Sequence, residues 1–546
     1  MTHALLLATL TSGSPQRQLL QRYALISAAA PSNDTRSAAL VLSDRFQQTL
    51  VSGGVLDKGA YLSTTLGYDP TREILQLRYS IQHVKALGSH AIVKVRLVGS
   101  IRYGWPGRTK NMSARWVESD VDEWVQERGR WELASSRQTS VQSWIGGKLV
   151  QNDRAPKRIA RSERVAIIHQ LRRDAVPVRT TLSGNTADLV ALGRWIGPSR
   201  IVGLGEATHG TREFFVTKDR IFRYLVQHLH FTVFAMEADW SVGLAIDHYI
   251  STGQGNIRAL LASAYAVWNN QETLDLLTWM RQYNAQPGPH TELHFVGLDV
   301  EDPHVPEEMV DQFFKANAPG RLAEVTADLQ CMGTTRKELS AYIFSSAADQ
   351  QECQQKIASV VALLDGVPRL KRANTPVSYT IARQATQAVL QAAELYAGEG
   401  RGDNSVRDRV MADNLVWASH VYPTARIALW AHDFHVAAYP NLGFTSMGSV
   451  LRRRFGRNYY AVGFAFDHGT VSPNGVFAPI FISPAFPLTA EATLREVKTP
   501  AYALNLDAIP IRSPLGTWLN RPEPVQAFGS VSGPQDLWQR FALVEL

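Results

Sequence analysis

Four short apolar runs in the second half of the chain each end on a group that can hold or move a proton. Ile201-Val202-Gly203-Leu204-Gly205 runs into Glu206-Ala207-Thr208-His209-Gly210, and Phe231 to Met236 runs into Glu237-Ala238-Asp239-Trp240. Leu293 to Leu298 is followed by Asp299, and Arg426 to Ala431 by His432-Asp433-Phe434-His435. Continuous apolar runs separated by helical periodicity read as strands of a parallel sheet covered on both faces. Side chains leaving the carboxyl ends of such strands meet in one crevice, so these groups share an edge. With charged residues at 19% of the chain, that coincidence marks the edge as a candidate active site.

The Glu206-x-x-His209 spacing sets two titratable groups about one helical turn apart at a strand-to-helix junction. A carboxylate beside an imidazole fixes its tautomer and raises its basicity, which is what activation of a water requires. The glycine pair Gly203 and Gly205 is not a nucleotide loop, because Thr208 stands where the dinucleotide fingerprint needs its third glycine. A capping Glu beside a solvent-facing His is the plainer reading of this pair taken alone. His432-x-x-His435 is open by spacing: with Glu206, His209 and Glu237 it builds either a metal site or a metal-free acid–base cluster. No His-Glu-x-x-His helix and no Gly-x-Ser-x-Gly elbow occurs. Asp299 also begins a turn that runs to Pro303, and Trp240 and Trp268 suit either a pocket wall or a core.

Positioning these residues requires a large α/β domain. A fifth run, Tyr459 to Ala465, completes the strand set, while residues 306–396 are helical by spacing and strand-poor. The expectation for 166–546 is a mostly parallel sheet with helices on both faces and a helical insertion. Residues 15–147 differ. Leu19, Tyr23 and Ile26 fall at helical spacing, Leu42, Phe46 and Leu50 continue in that style, and Ile92 to Val98 then alternates as a strand. Trp124-Val125 and Trp131-Glu132-Leu133 flank a hairpin turn at Glu127 to Arg130. A long helix on a curled antiparallel sheet follows from this order, and no ionisable cluster within it singles out a reaction. Residues 148–165 read as a basic, solvated linker.

A length of 546 residues implies two or three domains. A net charge of +7, from 56 Lys+Arg against 49 Asp+Glu, is too dilute for a nucleic-acid stripe and leaves acidic small molecules open. No apolar stretch reaches the length of a membrane span. Cys331 and Cys353 are the only cysteines, enough for one disulfide in an exported protein. Ala4 to Leu10 is apolar like a short signal core but lacks a preceding Lys or Arg, which favours a frayed start and a cytoplasmic address while leaving export open.

Two resemblances add to this reading. Asp122-Glu123-Trp124-Val125 through Gly129-Arg130-Trp131-Glu132-Leu133, with the order of elements before it, resembles the SnoaL-like, cone-shaped α+β superfamily shared with nuclear transport factors. That resemblance implies a small-molecule pocket or a homodimer through this domain. From about residue 165 onward, five ordered motifs resemble the erythromycin esterase family: Gly205 to Gly210, Glu213-Phe214-Phe215, Phe234 to Ala238, Arg407-Asp408 with Met411 and Asn414, and Trp430 to His435. Characterised members open the macrolactone ring of macrolide antibiotics by hydrolysis without a nucleophilic serine.

The resemblance implies an ester or lactone substrate, antibiotic inactivation as a setting, and neither cofactor nor metal. It makes His209 the general base and Glu206 and Glu237 the carboxylates that orient water and base. It makes His432 and His435 the pair that polarises the substrate carbonyl; Lys218 and Arg407, with Asp299 from its place at a strand end, are the substrate-binding candidates. Some macrolide-active members carry Arg where Lys218 stands, and Lys cannot make a bidentate fork, so substrate positioning differs. Arg407 and Asn414, seven apart on one helix face, suit a supporting role around the site. Two competing readings stand beside this one: a metal-dependent hydrolase on the same residues, and a small-molecule binding protein without turnover.

Overall fold

A computed structural model describes residues 14–541 apart from 52–54, 68–71, 104–111, 128, 146, 155–158, 180–184, 264–265, 301, 368–376, 402, 404, 439–444, 473–478, 483, 486–488, 522 and 527–537. The apolar leader, Ala4 to Leu10, therefore lies outside the described residues.

The front part is a helix, Pro15–Ala29, laid on a seven-stranded sheet of β1 (Leu42–Thr49), β2 (Val55–Asp57), β3 (Arg72–Leu87), β4 (His90–Tyr103), β5 (Met112–Glu127), β6 (Arg130–Ile145) and β7 (Lys148–Arg154). Strands β3 to β7 form an antiparallel meander, and β1 closes it by pairing parallel to β6. The β5–β6 turn falls where expected, with Glu127 opposite Arg130 and Gly129 at φ 74°. Residues 42–50 were expected to continue a helix, and instead 42–49 form β1. A spacing of four is even, so Leu42 and Phe46 also fit a period of two once a bulge between Leu42 and Gln47 takes up the register. Residues 148–165, expected as a wet linker, contain β7 and the start of a helix, Arg161–Asp174. The helix is anchored through Ile167 and Leu171, whose apolar spacing is diluted by the surrounding arginines.

The second part carries β8 (Val176–Pro177), β9 (Ile201–Leu204), β10 (Phe231–Asp239), β11 (His294–Asp299), β12 (Arg426–Trp430) and β13 (Tyr459–Val462). The last five are the five expected runs, and they form one parallel sheet in the order β11-β10-β12-β9-β13. Alternate residues feed two cores. Val202, Leu204, Phe234 and Met236 pack with Phe222, Trp268 and Trp430 on one face. Ile201, Val233, Ala235 and Leu429 pack with Met411, Leu415 and Leu451 on the other. That double burial is why these strands read as continuous apolar runs.

The expected helical insertion is present from His304–Asn317 to Tyr379–Arg401, with its own core around Phe313, Ile357 and Val389. Cys331 and Cys353 are joined by a disulfide inside it. Trp240 belongs to this core and is not at the site. Among the described residues no helix is long and apolar enough to cross a membrane.

Candidate active site

The sheet order decides which strand ends meet. Trp430 of β12 is level with Leu204 of β9 on one side and Met236 of β10 on the other. Glu206 and His432 therefore each stand two residues past the same level, and Glu237 one residue past it. Across the rim the order is Asp299, Glu237, His432 with His435, then Glu206 with His209. The sequence-predicted residues converge on one buried edge: Glu206 and Asp299 are 0% exposed, His432 3%, Glu237 4% and His209 7%. The expected solvent-facing His209 is thus corrected. Its ring is enclosed by Trp268, edge-on with centroids 5.7 Å apart, and by His432 at 5.1 Å.

One half of the site is built around Glu206. His209 Nδ1 donates to Glu206 Oε1 at 2.6 Å, because an ionised carboxylate only accepts. Lys218 Nζ donates to Oε2 at 2.5 Å, and Trp430 Nε1 donates to the same oxygen at 3.1 Å. Lys218 reaches in from the helix Arg212–Leu229, its ammonium 3.9 Å from the Trp430 ring centroid and its side chain wholly buried. Burial alone would raise the Glu206 carboxyl, but the Lys218 ammonium and His209 override it and hold the carboxyl below its ordinary range. Burial pulls the ammonium down to about 8 against the opposing pull of Glu206, so the pair is ionised at neutral pH.

Two glycines make room for this half. A Cβ on Gly205 would collide with Asp433 Oδ1, and Gly210, at φ 70°, lies against the backbone of Ser472, whose N–H donates to the Gly210 carbonyl.

The other half is a charge cage around Glu237. Arg407, from the first turn of the helix Ser405–Val421, donates through Nη2 to Glu237 Oε1 at 2.9 Å and through Nε to Asp299 Oδ2 at 2.8 Å. His435 Nδ1 lies 2.9 Å from Asp408 Oδ1, and its Nε2 lies 3.3 Å from Glu237 Oε1. Burial alone would lower His435, yet Glu237 and Asp408 raise it to about 10. Arg407 Nη1, also 3.3 Å from Nε2, opposes that charge, but three carboxylates here outnumber the two cations. Glu237 in turn is held well below the ordinary range by His435 and Arg407, against its burial.

His432 joins the halves. Its backbone N–H donates to Glu237 Oε2 at 3.0 Å, and its Nδ1 accepts from the Phe434 N–H at 3.3 Å, capping the short helix Asp433–Val436. Burial, then the neighbouring His209 and His435, lower its imidazole to about 3, so it is neutral with the proton on Nε2. Asp433 packs behind it, its carboxyl pushed by burial up to about 8 and accepting from the Phe464 N–H at 3.0 Å.

Asn414 stands off this edge. It donates to the Leu298 carbonyl and accepts from Gln384, tying its helix to β11. Asp408 and Trp430 were not singled out as site residues, although both lie in the quoted motifs, and Trp268, left open between pocket wall and core, packs in the core and stands against His209. Trp268 donates to the Glu237 carbonyl at 2.8 Å. Among the described residues no group of three or more His, Cys, Asp and Glu side chains is arranged to hold a metal ion.

A parallel α/β sheet with a buried acid–base cluster at its carboxyl edge defines the class of this protein. The family model for erythromycin esterase matches residues 226–542, more than half of the chain, and the chain belongs to the erythromycin esterase family. Its relatives include a putative hydrolase, YbfO, of Bacillus subtilis (strain 168), 24% identical over 66% of this chain and 86% of the relative. An erythromycin esterase type II of Escherichia coli is 25% identical over 51% of this chain and 72% of its own. A solved Bacillus cereus protein shares the fold with a TM-score of 0.61 at 24% identity, covering 71% of this chain and 96% of that one. A solved protein described as a succinoglycan biosynthesis protein, with a TM-score of 0.59 and 23% identity, covers the same shares. Family membership supports a hydrolase activity.

Proposed function

We propose that this protein hydrolyses a carboxylic ester or lactone of a small molecule by base-activated water. The observation that carries the reading is the Nδ1–H of His209 held on Glu206, which leaves Nε2 to take a proton from water. Lys218 and Trp430 keep Glu206 ionised and aligned, so Lys218 acts through Glu206 and not on substrate. Neutral His432, its Nε2–H fixed by the Phe434 amide, donates to the carbonyl oxygen as it gains charge. Glu237, Arg407, Asp299 and cationic His435 form a frame that orients His432 through its backbone N–H, and Arg407, 28% exposed in that frame, is the proposed contact for a substrate carbonyl or carboxylate. The matched family span holds Glu237, Asp299, Arg407, His432 and His435 but starts after Glu206, His209 and Lys218, so the roles of those three rest on geometry. Macrolide inactivation is the narrower form of this proposal, drawn from the named relative.

The front domain is read as a SnoaL-like cone on the order of its elements, a helix laid on a curled sheet, and as a pairing surface for a homodimer.

The test is a panel of lactones, macrolides among them, and simple esters with the purified full chain. Turnover of at least one, lowered by about 100- to 10,000-fold in His209→Ala, is expected. Return of every substrate unchanged would leave binding alone, and activity lost to a chelator and restored by zinc or manganese would overturn the metal-free form.

A further inference from the structure

The front domain has a polar interior that the hydrolase reading does not use. Strand β5 turns Glu118, Asp120 and Asp122 to one face, since they alternate along it. Opposite them on β4 stand Leu97, Val95 and Val93, all buried, and on β6 Gln138 faces Asp120 while Ser136 faces Asp122. Three tyrosines approach the same face. Tyr23, from the helix Pro15–Ala29, donates to Asp122 Oδ2 at 2.6 Å and accepts from Trp124 Nε1 at 3.0 Å. Its ring stacks on Tyr79 of β3 at 4.8 Å, and the Tyr79 and Tyr61 hydroxyls are 3.4 Å apart.

Two acceptors in this otherwise satisfied network have no partner: Asp120 Oδ1 and Asp122 Oδ1, on residues only 4% and 2% exposed. Burial first, then repulsion from Glu118 and Asp122, pushes the Asp120 carboxyl up to about 9, and burial carries Glu118 to about 7 and Asp122 to about 6. Placing carboxylates together without a cation works against folding, and such a cost persists where a ligand is meant to relieve it. Tyr23 and Tyr79 also line a cleft of about 520 Å³ between the first helix and β3, together with Leu20, Ala24, Leu77 and, on the exposed side of β3, Arg78.

We propose that this interior binds a small organic cation, an ammonium or amidinium group on an apolar or aromatic body, with Asp120 and Asp122 as its acceptors. The N–H donors of such a group complete both orphan oxygens, tyrosine rings favour a cation near their faces, and the cleft beside Tyr23 and Tyr79 receives its body. A bound cation holds the carboxylates ionised, so protons leave on binding near neutral pH. The groups facing them are Glu118 on β5, Tyr23, Tyr61 and Tyr79, with only neutral Ser136 and Gln138 from β6 and apolar residues from β4. Affinity therefore rises with pH between about 6 and 9.

Calorimetric titration of the full chain with benzylammonium and benzamidinium, against benzyl alcohol, tests this. Saturable binding of a cation at millimolar concentration, stronger at higher pH and at least about tenfold weaker in Asp120→Asn and Asp122→Asn, is expected. No saturation by either cation, equal binding of the alcohol, or unchanged binding in the variants would overturn it. Denaturant midpoints give a second reading. Both variants should unfold later than the wild type, because each removes an uncompensated carboxyl; earlier unfolding of both would make the carboxyls structural and end the proposal.

Discussion

Lys218→Met is the perturbation that probes the site's central assumption, that Glu206 is ionised only because a buried cation faces it. Two unit charges 2.5 Å apart attract by about 7 kcal/mol at an effective dielectric of about 20. Desolvation of both groups takes back much of that, and truncating one partner of a buried pair costs about 3–5 kcal/mol. Both side chains are fully buried, so solvent screening does not reduce the figure. Loss of the ammonium's contact with Trp430 adds to it. The pH dependence carries the sharper signature. In the wild type Glu206 titrates below its ordinary value, so its contribution is present above the unfolded pKa and lost as pH falls.

Without Lys218 burial wins, the folded pKa climbs, and the deficit shrinks on acidification. Denaturant unfolding of the full chain across a pH series reads this, with hydrogen exchange in β9 and β12 assigning the transition to this domain. The double variant Glu206→Gln/Lys218→Met should recover most of the loss, since it removes both charges. A single variant costing under about 1 kcal/mol, or a double variant no better than the single, would refute the buried-pair argument.

Further expectations follow from the same geometry. His435, raised from 6.5 to about 10, contributes stability that is complete below 6.5 and fades as pH rises to about 10; Asp408→Asn should flatten that alkaline decline in a thermal melt series. His432, lowered to about 3, is neutral in the fold and protonated when unfolded, so stability should fall as pH drops from 6.5 toward 3, and His432→Gln should remove that slope. Gly205→Ala should push Asp433 off its position and lower turnover far more than it lowers expression, read as kcat on the best ester of the panel. Cys331→Ser/Cys353→Ser opens a loop whose ends are 22 residues apart and should lower the stability of the helical insertion by about 3 kcal/mol, measured by hydrogen exchange in Ala347–Asp365.

What could be read from the sequence was whatever a strand's period and direction control. Glu206, Glu237, Asp299 and His432 follow apolar runs, and parallel strands of one sheet end at one edge, so their convergence follows from the chain order alone. Their partners do not. Arg407 meets Glu237 across 170 positions and Asp299 across 108, and nothing local in Ser405–Val421 says which strand end its guanidinium will reach. Lys218 sits on a helix twelve residues after Glu206, and nothing local in that helix says that its ammonium will be buried against the Glu206 carboxylate.

The front domain makes the same point in reverse. Glu118, Asp120 and Asp122 carry the period of two openly, yet an acid on alternate positions of a strand is ordinarily the wet face, so the segment offered no cluster to single out. It is the parallel pairing of β1 onto β6, together with the helix Pro15–Ala29 folding over β3, that encloses that face. Closure, not composition, turns three ordinary carboxylates into a buried acidic wall.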